Sequence, residues 1–266
     1  MDEQQRKTYI EQHGDKLLHD MLQIIGNSDD ELRDKLNYRV FIELLSAGHW
    51  TREQMTEITK TLVDDSYLFA AIGSSGDDSV FTRSFSALWL AGLLQVDRQI
   101  RFLSDEQATA VLQAVVPYIQ KERDVRGFVE GKGWAHSMAH GSDLAVAAIS
   151  HPLFTVQLAP VILQGLKEAM WKGAVFVDDE DERFVQVVEA LVRAEFPEEV
   201  LVEWVEQLFD KLDRHLYEVG YNPAFFAART NTMHFMKTLY FALKFSNHYQ
   251  QLRGVCSIFI GKWMKY

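Results

Sequence analysis

The chain is poor in the residues that staple, break or anchor a fold. Its 266 residues include a single cysteine, Cys256, so no internal disulfide can form. That fits a reducing compartment. The thiol lies in an apolar run and reads as a small core hydrophobe rather than a nucleophile. Five prolines and fifteen glycines leave little room for linkers or for the many turns of an all-β fold. The longest apolar run, 85–94, is too short to span a bilayer. The first residues, Met1-Asp2-Glu3-Gln4-Gln5-Arg6-Lys7, lack the apolar core of a signal peptide. Basic excess is also missing. The formal charge of −11 argues against a nonspecific nucleic-acid binder, which needs a cationic footprint, and against docking on an anionic membrane. A cytoplasmic protein is expected.

Hydrophobic residues make up 47% of the chain, enough for a sizeable core, and the dominant residue types favour helix. Helical spacing runs from about residue 4 to 26 and again over 29–47. Thr51-Arg52-Glu53-Gln54 and Ser104-Asp105-Glu106-Gln107 have the form of capping boxes and start helices. A short helix is expected at 66–72. The 78–95 segment is strongly apolar, Pro117 should kink the helix that follows Ser104, and Pro160 should bend a helix over 153–172. Further helices are expected over 178–194, 198–219, 222–245 and 247–264, with Asp178–Asp181 placing negative charge at a helix start. No strand alternation is visible.

Apolar helices opening on a polar first turn recur at Arg39, Arg83, His136, Arg183 and Met233, giving spacings of 44, 53, 47 and 50 residues. HEAT and armadillo arrays repeat every 40–47 residues or so. The expected fold is therefore all-α, a HEAT/armadillo-like α-solenoid of stacked helix pairs forming a single domain over 1–266. Its second helices would line a concave face. The competing reading is an irregular helical domain.

The densest chemistry lies in 131–144, Gly-Lys-Gly-Trp-Ala-His-Ser-Met-Ala-His-Gly-Ser-Asp-Leu. With a helix starting at Trp134, His136, His140 and Asp143 fall within about 60° of one another on one face. Trp134, Met138 and Leu144 fall on the packing side, so the indole is expected in the core. Ala135, Ala139 and Gly141 would let a ligand or another backbone come close. Arg123, Arg126 and Lys132 precede the helix and, with its N-terminus, form a candidate anion site. The spacing is not that of a P-loop, and no G-x-S-x-G elbow surrounds any serine.

Three readings of the polar face stay open. It could bind a polar ligand, hold a divalent metal through His136, His140 and Asp143, or be a structural hydrogen-bond cluster. No cofactor other than that metal is implied. Candidate ligand-binding residues are Arg126, Lys132, His136, His140 and Asp143, joined by Arg83, Arg183 and His234 at equivalent points of other repeats. The expected partner is a protein segment or a small polar molecule. The alternative is a metal-dependent enzyme, a hydrolase for instance.

The runs 123–129, 131–136 and 139–144, with Arg83-Ser-Phe-Ser-Ala-Leu88 and 175–183, resemble a bacterial family of uncharacterised proteins, domain of unknown function 2785. The resemblance covers about residues 80–195. It implies an all-α, repeat-like fold. It implies no activity, so it transfers no catalytic residue.

Overall fold

The structure is a computed structural model that describes residues 3–264. Eleven α-helices carry almost all of the regular structure, 73% of the chain being helical. The backbone gathers into two compact units, one ending at Phe154 and one beginning at Thr155.

The first unit opens with α1 (Glu3–Gln23) and a π-helical segment, Glu31–Tyr38, which runs straight into α2 (Arg39–Ser46). Then come α3 (Arg52–Val63), α4 (Ser79–Ile100) and α5 (Asp105–Lys121). A two-residue ribbon of β1 (Phe128–Val129) and β2 (Gly133–Trp134) leads into α6 (Ser137–Ile149). The second unit holds α7 (Ala159–Ala169), α8 (Glu180–Arg193), α9 (Glu198–Val219), α10 (Pro223–Ser246) and α11 (Gln250–Met264).

Local rules account for most boundaries. Thr51 and Ser104 each accept from the amide three residues on and receive the reciprocal Gln side chain, so both capping boxes form. The Asn222 side chain accepts from Phe225 N, with Pro223 in the first turn. Two expectations are corrected. Residues 66–72 form turns rather than a helix. Pro160 starts α7 instead of bending it, because the first turn does not need its missing N–H. α5 continues as helix through Pro117 to Lys121.

Within each unit helices pack both on their sequence neighbours, as α5 on α6 and α10 on α11, and on the helix after next. In the first unit α4 packs on α2 and on α6, and α3 packs on α5; in the second, α8 packs on α10 and α9 on α11. The expected repeat starts fall on or beside α2, α4, α6, α8 and α10, the even-numbered set. α4 is apolar around most of its girth, which a helix tolerates only when covered on nearly every side. Val80, Phe81, Phe85, Trp89, Leu90 and Leu93 are all buried, and Trp89 stacks on Phe41 of α2 with ring centroids 3.8 Å apart. In the second unit Phe184, Phe209, Phe225 and Phe235 form the core, and Trp204 Nε1 donates to Leu163 O at 2.8 Å.

The small residues of the 131–144 motif serve this packing. Ala135, Ala139 and Gly141 are buried, and a Cβ on Gly141 would stand 2.6 Å from Tyr118 Cε1 of α5. They clear space for α4 and α5 rather than for a ligand. The sign of one substitution checks this. Gly141→Ala in open space should stabilise by about 1 kcal/mol through helix propensity. Against the Tyr118 ring it should destabilise by about 1–3 kcal/mol in chemical denaturation.

Candidate functional site

The motif is positioned by buried charge. Arg83, on α4, donates from Nε and Nη2 to the two carboxylate oxygens of Glu122 at 2.6 and 2.9 Å, with both side chains fully buried. Its Nη1 reaches Ala70 O at 2.8 Å and Ser79 Oγ at 2.6 Å. Burial alone would lower the pKa of Arg83, but the hydrogen bond and charge of Glu122 carry it above the ordinary value. Glu122 also accepts from Asp124 N at 2.9 Å. Asp124 in turn accepts from Gly76 N, Arg126 N and the Arg126 guanidinium, the last at 2.6 Å. Burial opposes ionisation of Asp124, yet these donors hold its carboxyl below the usual range. Arg126 Nη2 continues to Asp77 O at 2.6 Å.

From this anchor the chain makes its ribbon. Phe128 pairs with Trp134 and Val129 with Gly133. Gly133 has φ +75°, and a Cβ there would lie 2.6 Å from Asp30 Cβ, so both conformation and space require glycine. Arg33 of the π-helix holds the ribbon from behind. Its guanidinium donates to Asn27 O at 2.6 Å, Lys132 O at 2.7 Å and Trp134 O at 3.2 Å, and lies over Phe81 at 4.1 Å. Lys132 pairs with Asp78 at 2.6 Å. Burial lowers the pKa of Arg33, opposed by the nearby charges of Asp34, Asp30, Asp29 and Asp78.

α6 starts at Ser137, three residues later than the periodicity predicts. His136 is therefore its N-cap rather than a member of its face, held in the left-handed region at φ +49°. The imidazole is half-buried and stacks on Trp134 at 4.4 Å. Trp134 is 38% exposed and meets Phe128 edge-on at 5.0 Å. Inward, the His136 ring meets His140 at 5.8 Å, and His140 meets Phe85 at 5.3 Å. Five rings thus run from the surface to the core. The core position expected for Trp134 is corrected, because the ribbon turns the indole outward before the helix begins.

The His140 tautomer follows from its partner. The Ser84 hydroxyl has one proton, and it donates to Ala135 O, which can only accept. Ser84 Oγ also lies 2.7 Å from His140 Nδ1. Nδ1 must then carry the proton, which assigns the ring lone pair to Nε2 when His140 is neutral. Behind the pair, Tyr118 Oη donates to Ser137 O at 3.1 Å, and Ser137 Oγ donates to Asp124 O. Asp34 stands within electrostatic reach of His136. Burial raises its pKa, and the charges of Arg33 and His136 only partly offset that.

The expected site residues therefore separate. Trp134, His136 and His140 come together. Arg83 is a fully buried strut and is corrected from ligand contact to scaffold, while Arg126 and Lys132 are committed to Asp124 and Asp78. Asp143 is half-buried on α6. Arg183 and His234 belong to the second unit, where Arg183 is half-buried at the start of α8 and His234 is exposed on α10. Beside His234, buried Asn231 accepts from Phe176 N at 2.8 Å and donates to Ala174 O at 2.9 Å, so it clamps a loop. In the acidic run, Glu180 is buried and accepts from Asp178 N, and burial raises its pKa. Burial pushes the Cys256 thiol up to about 12, which leaves it inert at neutral pH.

Sequence reasoning missed Arg33, Asp34, Glu122 and the pair of His151 with Asp97. His151 Nδ1 accepts from Leu153 N at 3.3 Å, so Nε2 donates to Asp97 at 2.9 Å, in full burial. The other Asp97 oxygen accepts from Leu103 N at 2.7 Å. With both imidazole nitrogens engaged, this dyad latches the end of α4 to the chain leaving α6.

A family model described as "Protein of unknown function (DUF2785)" matches residues 68–241. No curated protein matches the chain, and no solved structure does. Among the described residues, no helix is long and apolar enough to cross a membrane.

Two substitutions should differ sharply. Trp134→Ala should cost less than about 1 kcal/mol, as for a surface residue. Glu122→Gln strands a buried guanidinium and should cost about 3–5 kcal/mol. Equilibrium urea unfolding measures both.

Asp34 gives a pH signature. Its folded-state pKa is raised above the unfolded value of about 3.9. The stability it contributes is full below that value and is lost as pH rises through the folded-state pKa. Asp34→Asn should therefore raise Tm at pH 7, and the gain should shrink as pH falls towards 4. An equal effect at both pH values would contradict the assignment.

Proposed function

The chain belongs to the DUF2785 family, and on that premise we propose that its first unit is a binding module for a small polar ligand, seated on Trp134, His136 and His140. The observation that carries this reading is the conformation of His136. A non-glycine residue held at φ +49° costs of order 1–3 kcal/mol and persists only where the surroundings enforce it. Here the ribbon, Arg33 and the Asp124 network enforce it, and the product is an imidazole laid against a part-exposed indole. Rigid support behind an accessible group is what preorganised recognition requires.

The chemistry of the ligand follows from the groups. Trp134 offers a ring face, with the His136 imidazole stacked behind it, to a planar or cationic group. A molecule with a flat polar or cationic head suits it. The same proposal keeps the protein in the cytoplasm and reads the alternate-helix packing within each unit as stacked helix pairs, the arrangement an α-solenoid uses.

A metal-dependent hydrolase using His136, His140 and Asp143 is the second reading. The two imidazoles stand edge to face with centroids 5.8 Å apart, and among the described residues the three side chains do not gather their ligand atoms into one cluster.

The test is thermal unfolding of the parent and of His136→Ala/His140→Ala against a panel of amino acids, nucleosides, polyamines and sugars, with and without chelator. A compound that raises the parent Tm and leaves the double variant unmoved is the expected result. A panel that stabilises neither protein, or both equally, sinks the proposal. A parent Tm that falls with chelator and recovers with zinc transfers the site to the second reading. Independently, ¹⁵N chemical shifts of the imidazoles should show His140 protonated at Nδ1.

A further inference from the structure

The second unit contains a cavity away from the motif runs at 83–88, 123–144 and 175–183. It has a volume of about 550 Å³, within the range of small-molecule sites, and lies where the α9–α10 turn and the start of α10 face α11. Three of its walls are Tyr221, Phe225 and Phe226, with ring centroids 5.6 Å apart in each pairing. Trp263 makes the fourth, 6.1 Å from Phe225. Tyr221 and Phe226 are 71% and 50% exposed, an expense for aromatic rings at a pocket mouth.

One cation lines this aromatic bowl without a carboxylate partner. Arg229 lies one helical turn beyond Phe225 and Phe226. One Nη2 hydrogen bond, 2.9 Å to Trp263 O, uses a single donor of its five, and no carboxylate among the described residues pairs with it. The Trp263 indole N–H is shielded from solvent, so Trp263 contributes ring surface to the bowl rather than a donor. At the rim, Lys262 and Asp213 neutralise each other at 2.7 Å, so the cavity keeps the single positive charge of Arg229 in a chain of net charge −11.

We propose that this cavity binds an organic carboxylate with an aromatic body, its ring among Tyr221, Phe225, Phe226 and Trp263 and its carboxylate on Arg229. A planar carboxylate matches the fork of a guanidinium, and charge-assisted bonds are the stronger class. The ring contributes through area and offset stacking. The inference is independent of the first unit and of the role proposed for His136.

The test uses the full chain and phenylacetate as probe, with phenylacetamide as its neutral counterpart, in ligand-observed NMR titrations. Phenylacetate should bind about tenfold or more tightly than the amide, as expected for a hydrogen-bonded charge pair. Arg229→Gln should erase that preference. Arg229→Lys, which keeps the charge and loses the planar fork, should weaken the acid while sparing the amide. Circular dichroism and Tm matching the parent qualify each variant, and the Arg229→Lys result stands alone if Arg229→Gln fails to fold. Equal binding of acid and amide, no binding of phenylacetate at millimolar concentration, or an unchanged preference in a folded variant would overturn the proposal.

Discussion

Everything around the motif in the first unit hangs on a guanidinium sealed away from water. Arg83 and Glu122 have no solvent contact, and ions in that position are tolerated only with close geometry and satisfied donors. Both conditions hold. The pair is bidentate, the remaining Arg83 nitrogen binds Ala70 O and Ser79 Oγ, and Glu122 receives Asp124 N. Such a pair contributes little net stability against an apolar substitute, but it admits few alternative arrangements. It joins α4, the 70–79 turn and the end of α5 in one geometry, and from there Asp124 and Ser137 fix where α6 begins.

The site inherits that definition. His136 and Trp134 lie on neither a helix face nor a long strand. They lie on the join between a two-residue ribbon and a helix, a place with weak local preferences. Arg33 from one side and Asp124 from the other supply what local sequence cannot. The result divides labour clearly: cations hold the backbone, the Trp134 indole and the half-buried His136 lie towards the surface, and Ser84 sets the proton on the buried His140.

Much of the helical layout was legible because its determinants are short-range. Thr51, Ser104 and Asn222 announce helix starts within four residues, and the recurring polar first turns mark the even-numbered helices. The family, too, could be recognised from motif residues. Gly133 and Gly141 show why such motifs are specific, since Asp30 and Tyr118 leave neither room for a Cβ. What was illegible depends on distance along the chain. Arg83 and Glu122 are 39 positions apart, and Arg33 acts on Lys132 across 99. Nothing near Trp134 signals that a residue a hundred places earlier will turn it outward, so helical periodicity extended through it and put it in the core. Arg33 itself gave no sequence signal, because burial of a cation leaves no periodic trace.

The π-helix at Glu31–Tyr38 has a further meaning for the history of the chain. Its hydrogen bonds skip an extra residue, as from Arg39 N to Asp34 O, so the segment holds one more residue than α-helical winding would accept over the same rise. Deleting a residue upstream of Arg33 would let the turn relax to α and rotate Arg33 by about 100° away from the ribbon it braces. Most surface helices absorb a change of length at their ends. This one cannot, because Asn37 is tied to Met21 O on one side and Arg33 to Trp134 O on the other. The segment should therefore tolerate substitutions at its exposed positions while refusing insertions and deletions, a constraint on length rather than on composition.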